Sequence, residues 1–381
     1  MHSEIKLLAD KNIYLLEHSL PPAVSLTTFN PENGLPYDTC HFDALFVRTV
    51  TQINKSTLPD PGKLKLIASS SAGIDHIDTD YLDSHNIAFA HAPGNNARSV
   101  AEYVSTALFL WASKRNKSLK EMSIGIIGAG HVGRSLITLL KNLNLNFYSY
   151  DPPKAILDKT FKSCSKEKVL SADILTFHVP LTRNWKYATE KWLNRDILKN
   201  NSFELVINTS RGGVVDENAV IDFKKRGRVN DFVFDVWENE PGFSRESAAN
   251  AFIATPHIAG YSHQSKWRAT CMITKNLCKL FSLPVPDFTF PYRAADAPQP
   301  QLHFTGSENL SEVLKSVHPI CDYDCKLRQI IDSDLPHKRR EFSKLRTEVP
   351  FRHEFSEISL PEAILKKYPA LLKLGFRSDS E

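Results

Sequence analysis

No stretch of the sequence approaches the ~18 consecutive apolar residues that a membrane-spanning helix requires. The apolar segment that begins at Ile5 stops at Asp10, too short for a secretory signal, so the expectation is a soluble, cytoplasmic protein. The six cysteines (Cys40, Cys164, Cys271, Cys278, Cys321, Cys325) include no C-x-x-C pair. Cys321 and Cys325 are close, but no second Cys or His pair answers them at zinc-site spacing, and no metal is expected. The cysteines read as reduced, mostly buried thiols, with Cys271 and Cys278 seven apart on one helix face at core spacing. Charge of one sign is also scarce. With 47 basic and 43 acidic residues the net charge is +4, too weak to imply nucleic acid. The one basic cluster, Lys338-Arg339-Arg340, reads as a solvated helix face. No internal repeat is visible.

What is present is globular sequence. A hydrophobic share of 42% with 24% charged residues excludes disorder and fibres. At roughly 100–200 residues per domain, the length implies two or three domains. Short apolar runs at 5–9, 44–47, 64–68 and 87–91 alternate with longer amphipathic segments. Buried parallel strands read this way because helices cover both faces of their sheet, so the first ninety or so residues form a small α/β unit. Pro93-Gly94 then punctuates the chain, and residues 99–112 follow as a helix with Val100, Val104, Ala107, Leu108 and Trp111 on one face.

From Ser123 the alternation restarts, with strands expected at 124–127, 147–150, 174–177, 205–208, 232–234 and 252–254. Six strands is the count of a doubly wound dinucleotide fold. A helix over 265–281 leads to a proline-rich connector (Pro284, Pro286, Pro291, Pro298, Pro300), which marks a boundary near residue 290. The last ninety residues carry helical patterns at 311–317 and 360–374, leftover length of the kind used for self-association.

Three motifs carry chemistry. The expected strand 124–127 runs into Gly128-Ala129-Gly130-His131-Val132-Gly133, a G-x-G-x-x-G turn. Gly128 permits the tight turn, Gly130 lets a pyrophosphate approach the backbone, and Gly133 lets helix pack on strand. The helix that follows offers free N–H groups and a positive dipole end to phosphates. Asp151, eighteen residues after Gly133, closes the next strand. An acid there accepts from ribose hydroxyls and repels a 2′-phosphate, which favours NAD over NADP; a turn aspartate before Pro152-Pro153 is the structural alternative, and Lys154 could soften the preference. The second motif is Asn208-Thr209-Ser210-Arg211-Gly212-Gly213, where a strand ends and a guanidinium can grip a carboxylate with two hydrogen bonds. The third joins Asp235-Val236-Trp237-Glu238-Asn239-Glu240-Pro241 to Thr255-Pro256-His257-Ile258-Ala259-Gly260-Tyr261 across two further strand ends. His257 suits general acid/base work, and a Glu240 beside it would orient the imidazole and favour its charged form. Among the other histidines, His178 is the next candidate.

These residues resemble the D-isomer-specific 2-hydroxyacid dehydrogenase family, in segments 128–133, 206–217, 234–241 and 255–261. The stretches around 45–51, 71–78 and 92–97 match a branch of that family acting on a phosphorylated four-carbon substrate, and the similarity runs nearly end to end. The resemblance implies two Rossmann-like or flavodoxin-like doubly wound parallel-sheet α/β domains plus a smaller α+β C-terminal dimerisation domain. Their expected extents are 1–95 with 262–288 for substrate, 96–261 for NAD, and 289–381 for dimerisation. It makes Arg211, Glu240 and His257 catalytic, and it places Thr49, Ser71 and Tyr261 on substrate positions. NAD positions fall on Gly128, Gly130, Gly133, Asp151, Thr209, Ser210, Arg211, Asp235 and Gly260. Ser71 stands where a threonine is usual, Val179 where the branch has a threonine among its NAD contacts, and Asn95 where a cysteine is usual.

The reaction so implied is oxidation of 4-phospho-D-erythronate at C2 by NAD, in pyridoxal 5′-phosphate biosynthesis, by a homodimer with no nucleic-acid or membrane partner. Arg48, Thr49 and Ser71 are candidate donors to the phosphate. Other readings are a phosphoglycerate or glyoxylate/hydroxypyruvate enzyme of the same family and, from a different class, an NADH-sensing scaffold.

Overall fold

Continuous apolar runs become buried parallel strands in the computed structural model, which describes residues 4–290, 304, 306–348 and 350–379. The first sheet contains β1 (Ile5–Asp10), β2 (Val24–Phe29), β3 (Ala44–Val47), β4 (Leu66–Ser69) and β5 (Ala88–His91), all parallel, in the order β2-β1-β3-β4-β5. Every residue of β3 and β4 is buried. Leu45, Val47 and Ile67 face one cluster with Tyr81 and Leu82, while Phe46, Leu66 and Ala68 face another with Ile273 and Leu277 of the helix His263–Leu280. Both faces are thus covered, as a parallel sheet requires. The strand β2 escapes sequence reading because it lies at the sheet edge, half exposed, with polar Ser25, Thr27 and Thr28 interrupting its apolar residues.

A second sheet contains β6 (Ser123–Ile127), β7 (Asn146–Tyr150), β8 (Ile174–Phe177), β9 (Phe203–Asn208), β10 (Val229–Phe234) and β11 (Ile253–Ala254). All six strands are parallel, in the order β11-β10-β9-β8-β6-β7. Alternation sorts its core: Leu205, Ile207 and Val233 pack with the helices Ala97–Arg115 and His131–Asn142, and Val206, Phe232 and Phe234 pack on the opposite face with the helix Glu217–Lys225. Because β6 is flanked by β7 on one side and β8 on the other, the chain changes direction across the sheet at β6. In open α/β sheets ligands bind at the carboxyl ends of the strands beside such a switch point.

By its internal contacts the chain divides into two units, Met1–Asn96 with His263–Ala297, and Ala97–Ser262 with Pro298–Glu381. The C-terminal segment therefore packs on the six-stranded sheet. It holds the helices Leu310–Val317, Ile320–Gln329 and Leu335–Thr347 and a parallel pair, β12 (Ser359–Leu360) and β13 (Arg377–Ser378). Val313, Leu314, Ile320 and Tyr323 join the same core as the helix Ala97–Arg115. A buried charge cluster fastens the two: Glu102, fully buried on that helix, accepts from Arg98 Nε (2.7 Å), Arg352 Nη1 (2.6 Å) and the Phe355 N–H (2.9 Å). Glu354 accepts in turn from Ser99 (2.8 Å) and Ser262 (3.2 Å).

Two expectations for this segment need correction. The single helix over 360–374 is two helices, Glu362–Lys367 and Ala370–Leu374, with Leu360 in β12. Pro369 is the cause, since the residue before a proline is pushed out of helical geometry and Tyr368 sits at φ −128°, ψ 77°. The basic cluster does lie on a helix, Leu335–Thr347, but only Arg339 and Arg340 are solvated; Lys338 is buried with its ammonium 5.2 Å from the Phe243 ring centre. Of the connector prolines, Pro291, Pro298 and Pro300 lie outside the described residues. All six cysteines are free, and only Cys278 is fully buried; Cys271 is partly covered and Cys325 exposed. Among the described residues no helix is long and apolar enough to cross a membrane, and no cluster of three or more His, Cys, Asp or Glu could hold a metal.

Candidate active site

The glycine-rich turn follows β6 at the switch point. Gly128 adopts φ +95°, and a Cβ there would lie 2.6 Å from the His178 carbonyl oxygen and 2.7 Å from a Val179 methyl. Val179 thus closes against the turn; nothing in the structure explains the lack of a hydroxyl at that position. A Cβ on Gly133 would sit 2.0 Å from the Gly128 carbonyl oxygen, so the helix His131–Asn142 can pack on the turn only through glycine. Gly130, by contrast, has no atom within 4 Å of a Cβ position. The open space therefore lies over the N-terminus of that helix, where backbone N–H groups and the helix dipole favour a phosphate.

Asp151 follows β7 and ties this turn down. One carboxylate oxygen accepts from the Ala129 N–H (2.8 Å), and the other caps the helix Pro152–Leu157 through the Lys154 N–H (3.0 Å). A carboxylate has about four lone-pair sites, so two remain for hydroxyl donors. Lys154 is drawn away to Asp158 at 2.9 Å. Across the switch point His178 contacts Thr176 (3.0 Å) and Thr209 (3.4 Å), and desolvation pushes its pKa down to about 3. It is a neutral group at the cofactor side of the sheet rather than a proton carrier.

Arg211, Glu240 and His257 follow β9, β10 and β11, three neighbouring strands. Asn208 shapes the first loop: its Oδ1 accepts from the Ser210 N–H (3.1 Å) and hydroxyl (2.8 Å), and its amide donates to the Arg211 carbonyl (3.0 Å). The Arg211 guanidinium donates to the Ser210 carbonyl (2.8 Å). A Cβ on Gly212 would fall 1.8 Å from the Trp237 carbonyl oxygen, so this loop and the next touch backbone to backbone. The Trp237 indole then donates to the Thr255 carbonyl (2.9 Å), which joins the third loop to the other two.

His257 Nδ1 lies 2.7 Å from Glu240 Oε2, and the other Glu240 oxygen accepts from the Trp237 N–H (2.9 Å). Burial pushes the Glu240 carboxyl toward the protonated form, but the His257 charge and hydrogen bond, with the Arg346 charge, win and hold it below the usual carboxylate range. The backbone of His257 is left-handed (φ +59°), a conformation that costs a β-substituted residue of order 1–3 kcal/mol. Asp235 over-determines it. Buried at the end of β10, this residue accepts from the Thr255 hydroxyl (2.7 Å) and from the N–H groups of Ile258 (2.8 Å) and Ala259 (2.9 Å).

The remaining expected residues lie as follows. In the five-stranded unit, Thr49 is exposed, and Ser71 contacts Ser69 (2.7 Å) and donates to the Gly73 carbonyl (2.8 Å). Arg48 Nε is already paired with buried Asp10 at 2.8 Å. The Asn95 side-chain amide donates to the Ser265 carbonyl (3.0 Å), and the Asn95 main-chain carbonyl accepts from Arg268 (2.9 Å). In the six-stranded unit, Tyr261 and Gly260 follow His257 directly, and the Tyr261 ring packs edge-on to Phe351 of the C-terminal segment at 6.0 Å.

Sequence reading missed two groups. Arg346, on the helix Leu335–Thr347, reaches Tyr261 and Glu240 from the far end of the chain, and nothing in its local pattern announces that. Glu217 ends the segment 206–217 that resembles the family, without a role assigned to it. It is buried, accepts from the Glu238 N–H at 2.5 Å, and burial pushes its pKa up to about 7, with the Glu238 and Glu240 charges adding to the rise.

Residues 95–259 match the D-isomer specific 2-hydroxyacid dehydrogenase, NAD binding domain, family. The chain is 38% identical over 282 residues to the erythronate-4-phosphate dehydrogenase of Idiomarina loihiensis, covering 74% of each chain. It is 33% identical over 385 residues to the enzyme of that name from Pseudoalteromonas translucida, covering 98% of this chain and 99% of the relative. Among solved structures, a D-lactate dehydrogenase from Aquifex aeolicus, complexed with NAD and lactic acid, superposes with a TM-score of 0.58 at 21% identity, covering 73% of this chain and 95% of that one. A glyoxylate reductase from Paecilomyes thermophila gives 0.60 at 19% identity, covering 75% and 98%. At these identities the structures speak to the fold.

The two glycines separate fold from binding. Gly133→Ala should lower the thermal midpoint by about 5 °C or more, because backbone must move. Gly130→Ala should melt like the wild type yet bind NADH about tenfold more weakly or worse, measured by fluorescence titration. Glu217 predicts a pH effect. It holds its proton in the folded state up to about 7 but releases it near 4.5 when unfolded, so stability falls as pH rises through that window. The wild-type stability minus that of Glu217→Gln, both measured in urea, should therefore fall between pH 5 and 8 by up to about 3 kcal/mol.

Proposed function

The chain belongs to the D-isomer-specific 2-hydroxyacid dehydrogenase family, alongside the erythronate-4-phosphate dehydrogenases, and on that premise we propose its reaction. It oxidises 4-phospho-D-erythronate to (R)-3-hydroxy-2-oxo-4-phosphonooxybutanoate with NAD, a step of pyridoxal 5′-phosphate biosynthesis. The observation that carries this is the 2.7 Å contact between His257 and Glu240, on the strand ends next to that of Arg211. NAD fits the residues present: the left-handed Gly128, the space over Gly130 and the helix N-terminus accommodate a pyrophosphate, with Asp151 available to ribose hydroxyls. Thr209, Ser210, Asp235 and Gly260 complete the cofactor positions. When bound, NAD supplies the acceptor for the hydride that leaves C2.

The protein's own residues do the rest. Arg211 holds the carboxylate and the C2 oxygen by paired hydrogen bonds. His257 accepts the hydroxyl proton on Nε2, since Nδ1 faces Glu240. Glu240 stays ionised and stabilises the imidazolium that results, a role its depressed proton affinity supports. Tyr261, Thr49 and Ser71 are substrate ligands, and Arg48 contributes the guanidinium nitrogens that Asp10 leaves unused. General acid/base catalysis of this kind contributes about 10²–10⁴-fold.

We further propose that the chain is a cytoplasmic homodimer joined through its C-terminal residues. Six free thiols support a reducing compartment, and Leu335 and Leu372, exposed at 48% and 51%, support a covered C-terminal face.

NADH production from 4-phosphoerythronate beside 3-phosphoglycerate and D-lactate tests the reaction. The first should be the preferred substrate by kcat/KM, and a preference for either of the others would transfer the protein to another branch of the family. His257→Ala should lose about 10²–10⁴-fold in turnover while still binding NADH. Near-normal turnover would remove His257 from the chemistry. Sedimentation velocity should return a dimer that Leu372→Glu weakens; a monomer at micromolar concentration would end the self-association proposal.

A further inference from the structure

Arg346 is a cation built into the catalytic surroundings by the C-terminal segment, outside both parallel sheets. Its helix, Leu335–Thr347, is fixed by Phe342, fully buried and 5.5 Å ring to ring from Phe243, and by Lys338 over the same Phe243 ring. One turn beyond Phe342 the Arg346 guanidinium comes within hydrogen-bond reach of the Tyr261 side chain and close to Glu240 and Asp235. The loop it approaches is braced from the same segment by Glu354, which accepts from Ser262 (3.2 Å). Arg346 is thus delivered to the residues beside His257 by a rigid support.

Its surroundings do not satisfy it. The Arg346 Nε is sealed from solvent and finds no acceptor among the described residues. The two nearby acids are engaged elsewhere: Glu240 with His257 and the Trp237 N–H, and Asp235 with Thr255 and the N–H groups of Ile258 and Ala259. A partly buried guanidinium whose sealed Nε–H is unmet calls for an anion, and a planar fork suits one with several oxygens. Granted the phosphorylated 2-hydroxy acid proposed above, the substrate carries two anionic groups, and Arg211 takes the carboxylate. We infer that Arg346 binds the substrate phosphate and is the C-terminal segment's direct contribution to specificity.

The test compares wild type, Arg346→Ala and Arg346→Lys, each loaded with NAD, on 4-phosphoerythronate and on unphosphorylated erythronate. Arg346→Ala should lose about 10–100-fold in kcat/KM on the phosphorylated compound and less than about threefold on erythronate. Arg346→Lys, which keeps the charge but not the fork, should fall between, and it carries the test if the alanine variant melts early. Equal losses on both compounds would show that Arg346 acts through Glu240 instead, and no loss on either would remove it from the site; both outcomes overturn the inference. Calorimetric titration of the NADH-loaded proteins with inorganic phosphate keeps the two proposals apart. If the wild type oxidises neither compound, the substrate reading fails. Phosphate binding at least tenfold weaker in Arg346→Ala would still uphold Arg346 as the anion ligand, and unchanged binding would refute it.

Discussion

Everything in the site hangs on one buried carboxylate. Asp235 ends β10 and gathers three donors from the loop after β11, and in doing so it holds His257 in a backbone conformation that a histidine does not adopt freely. Burying an ion is costly unless its hydrogen bonds are complete, and here three short ones stand in for water. Without that anchor the loop would relax and His257 would leave Glu240. A residue that reads as a cofactor position by resemblance is, in the structure, first of all the fixture for the loop that carries His257.

A second layer of buried charge does similar work from outside the sheet. Glu102 collects two guanidinium groups and a backbone N–H, while Glu354 collects two serines, so that residues 352–355 are locked to the start of the helix Ala97–Arg115 and to the loop after Tyr261. Breaking such a pair by removing one partner leaves an uncompensated charge, which is why clusters of this kind define position sharply. The C-terminal segment is consequently part of the architecture around the site rather than an appendage to it.

Much of this was legible in the sequence, for physical reasons. The buried strand β3 is an uninterrupted apolar run, β8 is broken only by Thr176, and the glycine turn carries its steric need in its spacing. Arg211, Glu240 and His257 could be named because each closes a strand, and parallel neighbours bring such ends together. The rest was hidden where local pattern carries no information. Strand β2 is half exposed and alternates polar residues, so it lacks the signal of a buried strand. Arg346 is one arginine among several basic residues on an amphipathic helix, and its partner Tyr261 lies far away in the chain. The fate of Arg48 was equally invisible, because Asp10, which pairs with it, belongs to a different strand.

Trp237 touches all three loops of the site: its main-chain carbonyl meets Gly212, its main-chain N–H meets Glu240, and its ring N–H meets the Thr255 carbonyl. Loops so joined cannot fray one at a time. Any excursion that frees one releases the others, so the lowest-energy opening of this region is a single concerted event with the free energy of the whole cluster. Arg211, Glu240 and His257 therefore inherit the rigidity of a core, even though they stand at its rim.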